Sequence, residues 1–269
     1  MTWRNYPKKA FPFPLNYKYL LHKRGWLQKG YKISQNIVNF LVLIDIWCHM
    51  SDDKIHIYLM PGMAANPSIF ENIKLPDDQF VTHTLEWFVP EKGMSLMKYA
   101  ERMCDKIKDP NPVLLGVSFG GMLVQEMAKI RSIRKVIVVS SVKSKHELPK
   151  RMLFAKYTKV HKLLPTGLVN NVELLAKYAF GETVTKRLHL YEKYLSIRDK
   201  YYIDWSIDQI VNWDQEVPPE HVVHIQGEKD AVFPISNIND CISVKNGTHT
   251  MIIHRAKWFN EHLPTIILE

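Results

Sequence analysis

From residue 54 to the C-terminus, short apolar runs alternate with amphipathic stretches. Residues 55–60 form a buried-strand pattern that closes on a Pro-Gly-Met-Ala-Ala-Asn turn over 61–66, and residues 80–85 read as a second strand. Leu96, Tyr99, Ala100, Met103 and Ile107 recur at helical spacing and predict a surface helix over 95–107. Residues 112–116 form a strand that runs into a helix over 119–130, apolar on nearly all sides as a centrally packed helix must be. Val136, Ile137, Val138 and Val139 then give a strand over 135–142 that is buried on both faces.

The pattern changes over 143–213. Leucines, tyrosines and lysines recur there at helical spacing without a strand, which predicts a helical insertion. Strands return at 221–225 and 241–244, and a helix over 251–263 closes the chain. Strands alternating with helices imply an α/β fold whose parallel sheet is wound by right-handed crossovers.

The chain has 269 residues and 46% hydrophobic content, which fits one large α/β domain or a core with an inserted subdomain. Its net charge of +9 is unevenly spread: residues 1–49 hold eight Lys or Arg against one acid, Asp45, leaving 28 basic and 26 acidic residues beyond them. No basic stripe interleaved with stacking aromatics occurs in that remainder, so a nucleic-acid partner is not expected. Residues 1–49 read as a poorly structured appendage, or as a stretch upstream of a natural start at Met50. Their apolar run, 37–48, is interrupted by Asn39 and Asp45 and falls short of the roughly 20 residues a membrane span needs. Cys48, Cys104 and Cys241 form no C-x-x-C pair, and a reducing cytoplasm is the simplest setting.

The candidate chemistry starts at Gly116-Val117-Ser118-Phe119-Gly120, a G-x-S-x-G pentapeptide at a strand-to-helix turn. A serine there is forced towards positive φ, and small residues two before and two after it, Gly116 and Gly120, relieve the crowding. The Phe119 N–H points to where an oxyanion would form. An acid is expected at the end of the strand 221–225; Asp230 is chosen over its neighbour Glu228. The histidine is expected in the loop after the last strand, where His249 stands. A second oxyanion donor is expected after the first core strand, from the Met63 N–H, with Gly62 permitting close approach. His221 and His224 make a poor metal pair, and no H-E-x-x-H cluster occurs, so metal catalysis is not expected; acyl transfer through a serine needs no metal or organic cofactor.

Together these residues resemble the α/β-hydrolase family over residues 54–269, in the family's order of serine, acid and histidine. The resemblance implies a Ser118-His249-Asp230 triad, a core over 50–142 and 214–269, and a helical cap over 143–213. The family's frequent His-Gly is Pro61-Gly62 here. Its N-terminal antiparallel strands are not recognisable before Lys54, so a mostly parallel sheet of about six strands flanked by helices is expected.

Phe154, Tyr157, Tyr178, Phe180, Tyr191, Tyr194, Trp205 and Trp213 are read as cap packing rather than as an acyl pocket, and the cap lysines as a solvated face. The expected function is serine hydrolysis of a carboxylic ester or related small acyl compound through an acyl-enzyme. The alternative is a non-catalytic small-molecule binder on the same fold.

Overall fold

The chain divides into two units, Met1–Asp53 and Lys54–Glu269. The computed structural model describes residues 54–163, 193–195 and 197–269, so the expectations for residues 1–49 and for Tyr178, Phe180 and Tyr191 lie outside the described residues.

Six strands form one parallel sheet: β1 (Ile55–Met60), β2 (Phe80–Thr84), β3 (Val113–Val117), β4 (Lys135–Val139), β5 (Val222–Gly227) and β6 (Ile242–Val244). Their order is β2-β1-β3-β4-β5-β6, with Met60 of β1 level with Gly116 of β3. The winding reverses between β1 and β3. Ligands of open parallel sheets bind at the carboxyl ends of strands at such a point, and both the Gly62-Met63 turn and Ser118 emerge there.

A parallel sheet must be covered on both faces, and the alternation of side chains along each strand supplies two cores. Tyr58, Met60, Leu114, Val136 and Val138 face one way, packed with helices α1 (Leu96–Cys104) and α2 (Phe119–Ala128). Ile57, Leu59, Leu115, Ile137 and Val139 face the other, packed with Met251 and Ile252 of α5 (Met251–His254) and Phe259 and Leu263 of α6 (Ala256–Leu268). Ser95 caps α1, its side chain accepting the Lys98 N–H at 3.2 Å.

Of the expected cap, the described residues hold α3 (Lys150–Thr158) and α4 (Lys200–Asn212), with 3-10 turns at Lys145–Glu147 and Val160–Leu163. Two polar residues on otherwise apolar α2 make the seam with this region. Glu126 accepts the Trp213 indole N–H at 2.8 Å, and the Gln125 carbonyl oxygen accepts from Gln215 at 2.8 Å. Both are buried, and each finds the partner a buried polar group needs. Several cap cations are also engaged: Lys143 donates to the Asp240 carbonyl, and Arg151 to those of Ala231 and Val232.

Element ends depart from the pattern where the backbone turns. The fourth strand stops at Val139, not 142, because Ser140 takes φ 49. The fifth begins after His221, at φ 58, and runs on to Gly227. The closing helix breaks at Arg255 and continues five residues past 263, through Pro264, because Ile266 and Ile267 bury their side chains in the second core.

The β3-to-α2 join fixes the sheet's carboxyl end. Ser118 stands at φ 54, ψ −120, with its N–H on the Val139 carbonyl at 2.9 Å and its own carbonyl accepting from the Ser141 hydroxyl at 2.7 Å. A Cβ on Gly116 would lie 2.3 Å from the Gly120 carbonyl oxygen, and one on Gly120 would lie 2.3 Å from that of Pro61. Backbone atoms cannot yield as a flexible side chain can, so both positions exclude any larger residue. Gly62 differs, since a Cβ there would meet Ser118 Cβ at an ordinary 3.4 Å. Gly120→Ala should therefore destabilise the protein by about 1–3 kcal/mol in urea unfolding, as overpacking does, while Gly62→Ala changes stability by less than about 0.5 kcal/mol. Equal losses in the two variants would contradict this account of the join.

Candidate active site

The elbow sets Ser118 Oγ 3.0 Å from Nε2 of His249. The other ring nitrogen, Nδ1, lies 2.9 Å and 3.1 Å from the two carboxylate oxygens of Asp230. An ionised carboxylate only accepts, so Nδ1 carries the proton and the Nε2 lone pair faces the serine hydroxyl. Asp230 and His249 are both buried, at 4% and 3% exposure. Burial alone would raise the Asp230 pKa, but the His249 ring and the N–H groups of Phe233 and Val232 outweigh it and leave the carboxyl below its usual range. Those two N–H groups sit 2.8 Å and 2.9 Å from Oδ1. The rival acid, Glu228, instead accepts the Asn246 N–H at 3.0 Å and ties the two loops together.

The Phe119 N–H opens α2, where the first N–H groups of a helix have no partner within it. The Met63 N–H projects from the turn after β1. Neither donates a hydrogen bond among the described residues. The structure thus brings together Ser118, His249 and Asp230, with the backbone of Met63 and Phe119 beside them. A hydroxyl beside a basic imidazole nitrogen and two unpaired N–H groups can transfer a proton and receive a developing negative charge.

No protein-family model matches the sequence, and no curated protein matches it. Solved structures do match. A hydrolase from Pseudomonas aeruginosa PA01 aligns over 80% of this chain and 91% of its own, with a TM-score of 0.61 at 14% identity. An enol-lactonase from Burkholderia xenovorans LB400 aligns over 80% and 92%, with a TM-score of 0.58 at 15% identity. An esterase from Exiguobacterium antarcticum aligns over 81% and 93%, with a TM-score of 0.57 at 15% identity. The chain has the α/β-hydrolase fold.

Within this α/β-hydrolase fold, residues that sequence reasoning passed over hold the site in place. The Trp87 indole donates to the Gly62 carbonyl at 2.8 Å, and the Ala65 N–H donates to the same oxygen at 3.1 Å. In a trans peptide C=O and N–H point in opposite directions, so fixing the Gly62 oxygen also fixes the Met63 N–H. The same indole stacks on the Phe119 ring, 4.9 Å between centroids and 4° from parallel. One side chain therefore touches the carriers of both free N–H groups. The next residue in the turn, Ala64, takes φ 61, and its N–H is accepted by the hydroxyl of fully buried Tyr202 on α4 at 3.3 Å. The position of Trp87, just past the carboxyl end of β2, was the signal available for it.

Behind Asp230, the Gln226 amide donates to Oδ2 at 3.1 Å and to the Phe233 carbonyl at 2.6 Å. His224 Nε2 meets the Gln226 carbonyl oxygen at 3.1 Å and so sets which way that amide points. Over Ser118 lies a cavity of about 260 Å³ that also reaches His249, with Met152 of α3 and Ile207 and Ile210 of α4 in its wall. From this region Arg151 also lines it, beside Ala155 and Val211, so the wall is aliphatic except for one cation. Trp205 and Trp213 pack into the core, while Phe154 and Tyr157 are exposed.

Burial pushes the His224 pKa down to about 4, only partly offset by Gln226. Between its ordinary 6.5 and about 4, the unfolded chain binds a proton here that the folded chain refuses, so stability falls as pH falls through that window. The loss should reach about 3 kcal/mol. Urea unfolding across this range should show a clearly shallower decline for His224→Gln, and equal declines would refute the assignment.

Proposed function

We propose that the chain is a serine hydrolase that cleaves a carboxylic ester or a related acyl compound through an acyl-enzyme. The observation that carries this reading is the hydrogen-bonded run from buried Asp230 through His249 to Ser118 Oγ, aimed at the cavity beside two free N–H groups. Ser118 Oγ attacks the acyl carbon while His249 Nε2 takes its proton. Asp230 holds the ring in that tautomer and balances the imidazolium. The Met63 and Phe119 N–H groups stabilise the oxyanion, and His249 returns the proton to the leaving group. Water then enters, His249 again acts as base, and the acid leaves. The wall, aliphatic apart from Arg151, whose guanidinium is engaged by the Ala231 and Val232 carbonyls, favours an apolar acyl group. Esterase and enol-lactonase activities in proteins of the same fold agree with acyl chemistry. Among the described residues no helix is long and apolar enough to cross a membrane.

A fluorophosphonate probe tests the reading. The full-length protein should be labelled on Ser118, with labelling lost in Ser118→Ala and His249→Ala. Trp87→Phe keeps the ring stack but loses the bond to Gly62, and it should be labelled about tenfold more slowly, less than the 10²–10³ of a deleted oxyanion donor. Folded protein that takes no label would favour a non-catalytic binder instead.

A further inference from the structure

A second cluster of side chains lies away from the candidate active site. His56 on β1 and His83 on β2 lie on the same face of the sheet: His83 is level with Tyr58, and His56 stands two residues before Tyr58. Asp109 reaches them from the loop between α1 and β3. His56 Nδ1 is 2.9 Å from His83 Nε2 and 3.1 Å from Asp109 Oδ2, and His83 Nε2 is 3.5 Å from that oxygen. Three groups that each offer a lone pair therefore converge within 3.5 Å. A proton on His56 Nδ1 can serve His83 Nε2 or the carboxylate, while a cation between the three would engage all of them. The separations of 2.9, 3.1 and 3.5 Å lie on either side of the edge of a tetrahedron around a zinc ion, about 3.3 Å for bonds of 2.0–2.1 Å, so small side-chain shifts would complete it.

We propose that His56 Nδ1, His83 Nε2 and Asp109 Oδ2 form a site for one zinc-type divalent cation. Two imidazoles and one carboxylate select a borderline cation over calcium or magnesium, which prefer oxygen alone. The carboxylate is already aimed, because the Tyr58 hydroxyl donates to Asp109 Oδ2 at 2.6 Å and the Lys108 N–H donates to the Tyr58 oxygen at 3.3 Å. Such outer bonds orient metal ligands. The three side chains are 27%, 34% and 23% exposed, so solvent can bring the ion and fill a fourth position. Lys106, on the rim of the same hollow, is turned away, donating to the Glu86 carbonyl and lying over the Phe88 ring. The two histidine rings lie 11° from parallel and share a hydrogen bond, which the ion replaces as the rings tilt.

The bound ion would clip edge strand β2 to β1 and to the loop that enters β3. His56 stands four residues, about 13 Å of strand, before Met60, so the clip is structural and takes no part in the chemistry at Ser118. The spacing of the three residues in sequence, 27 and 26 apart, hides them from any motif.

Zinc chloride titrated calorimetrically into the full-length protein, previously dialysed against a chelator, tests the site. Stoichiometric binding and a raised thermal midpoint are expected, with affinity about tenfold or more lower in His83→Gln and in Asp109→Asn. Absent binding, or affinity unchanged in both variants, would overturn the proposal. A measurement on the unmutated protein guards against a variant that fails to fold. Zinc should protect His56 and His83 from diethylpyrocarbonate while exposed His146 remains reactive, and equal modification of His56 and His83 with and without zinc would also overturn it.

Discussion

The site depends on how closely α2 approaches the ends of β1 and β3. Gly116 and Gly120 leave no room for a Cβ between the helix start and the strand ends, and that contact holds Ser118 at a backbone angle few residues with side chains adopt. Once the serine is held there, its Oγ projects from the sheet and the Phe119 N–H beside it is left without a helical partner. The reversal of strand order between β1 and β3 brings the Met63 N–H to the same place. The apolar cores on the two faces of the sheet provide the rigidity against which this strain is maintained.

Around that join, each group in the site is held by another group whose own partners are satisfied. Asp230 could not stay charged at 4% exposure without donors, and it has the His249 ring, two backbone N–H groups and the Gln226 amide. Trp87 and Tyr202 do the same for the turn after β1, one through the Gly62 carbonyl and the other through the Ala64 N–H. Tyr202 lies on α4, so a helix that walls the cavity also supports the turn carrying the Met63 N–H. A substitution in α4 can thus shift the Met63 N–H as well as reshape the cavity wall.

Much of this was legible in the sequence because it is written locally. Buried parallel strands read as apolar runs, and β1 was marked to the residue by Lys54 and Pro61. Ser118, Asp230 and His249, which the structure sets within hydrogen-bonding reach of one another, were chosen because each follows a strand, where parallel sheets gather their ligands. What depends on pairing between distant segments was not legible. Trp87 acts through a carbonyl 25 residues away, and Tyr202 through an amide 138 residues away. His56, His83 and Asp109 meet only because β2 pairs with β1 in a particular register. The closing helix was expected to end at Leu263, yet burial of Ile266 and Ile267 carries it on to Leu268. The aromatics of 143–213 gave no pocket because the described wall from that region is built from Arg151, Met152, Ala155, Ile207, Ile210 and Val211 instead.

The central claim is that Ser118 carries the acyl group during turnover. Mixing the full-length protein with a p-nitrophenyl ester, quenching in acid at successive early times and mapping the peptides by mass spectrometry tests it directly. The account predicts that the acyl group appears on Ser118 as nitrophenol is released and disappears when the ester is exhausted. Ester turned over with the acyl group on another residue or on none, or ester recovered intact, would contradict it.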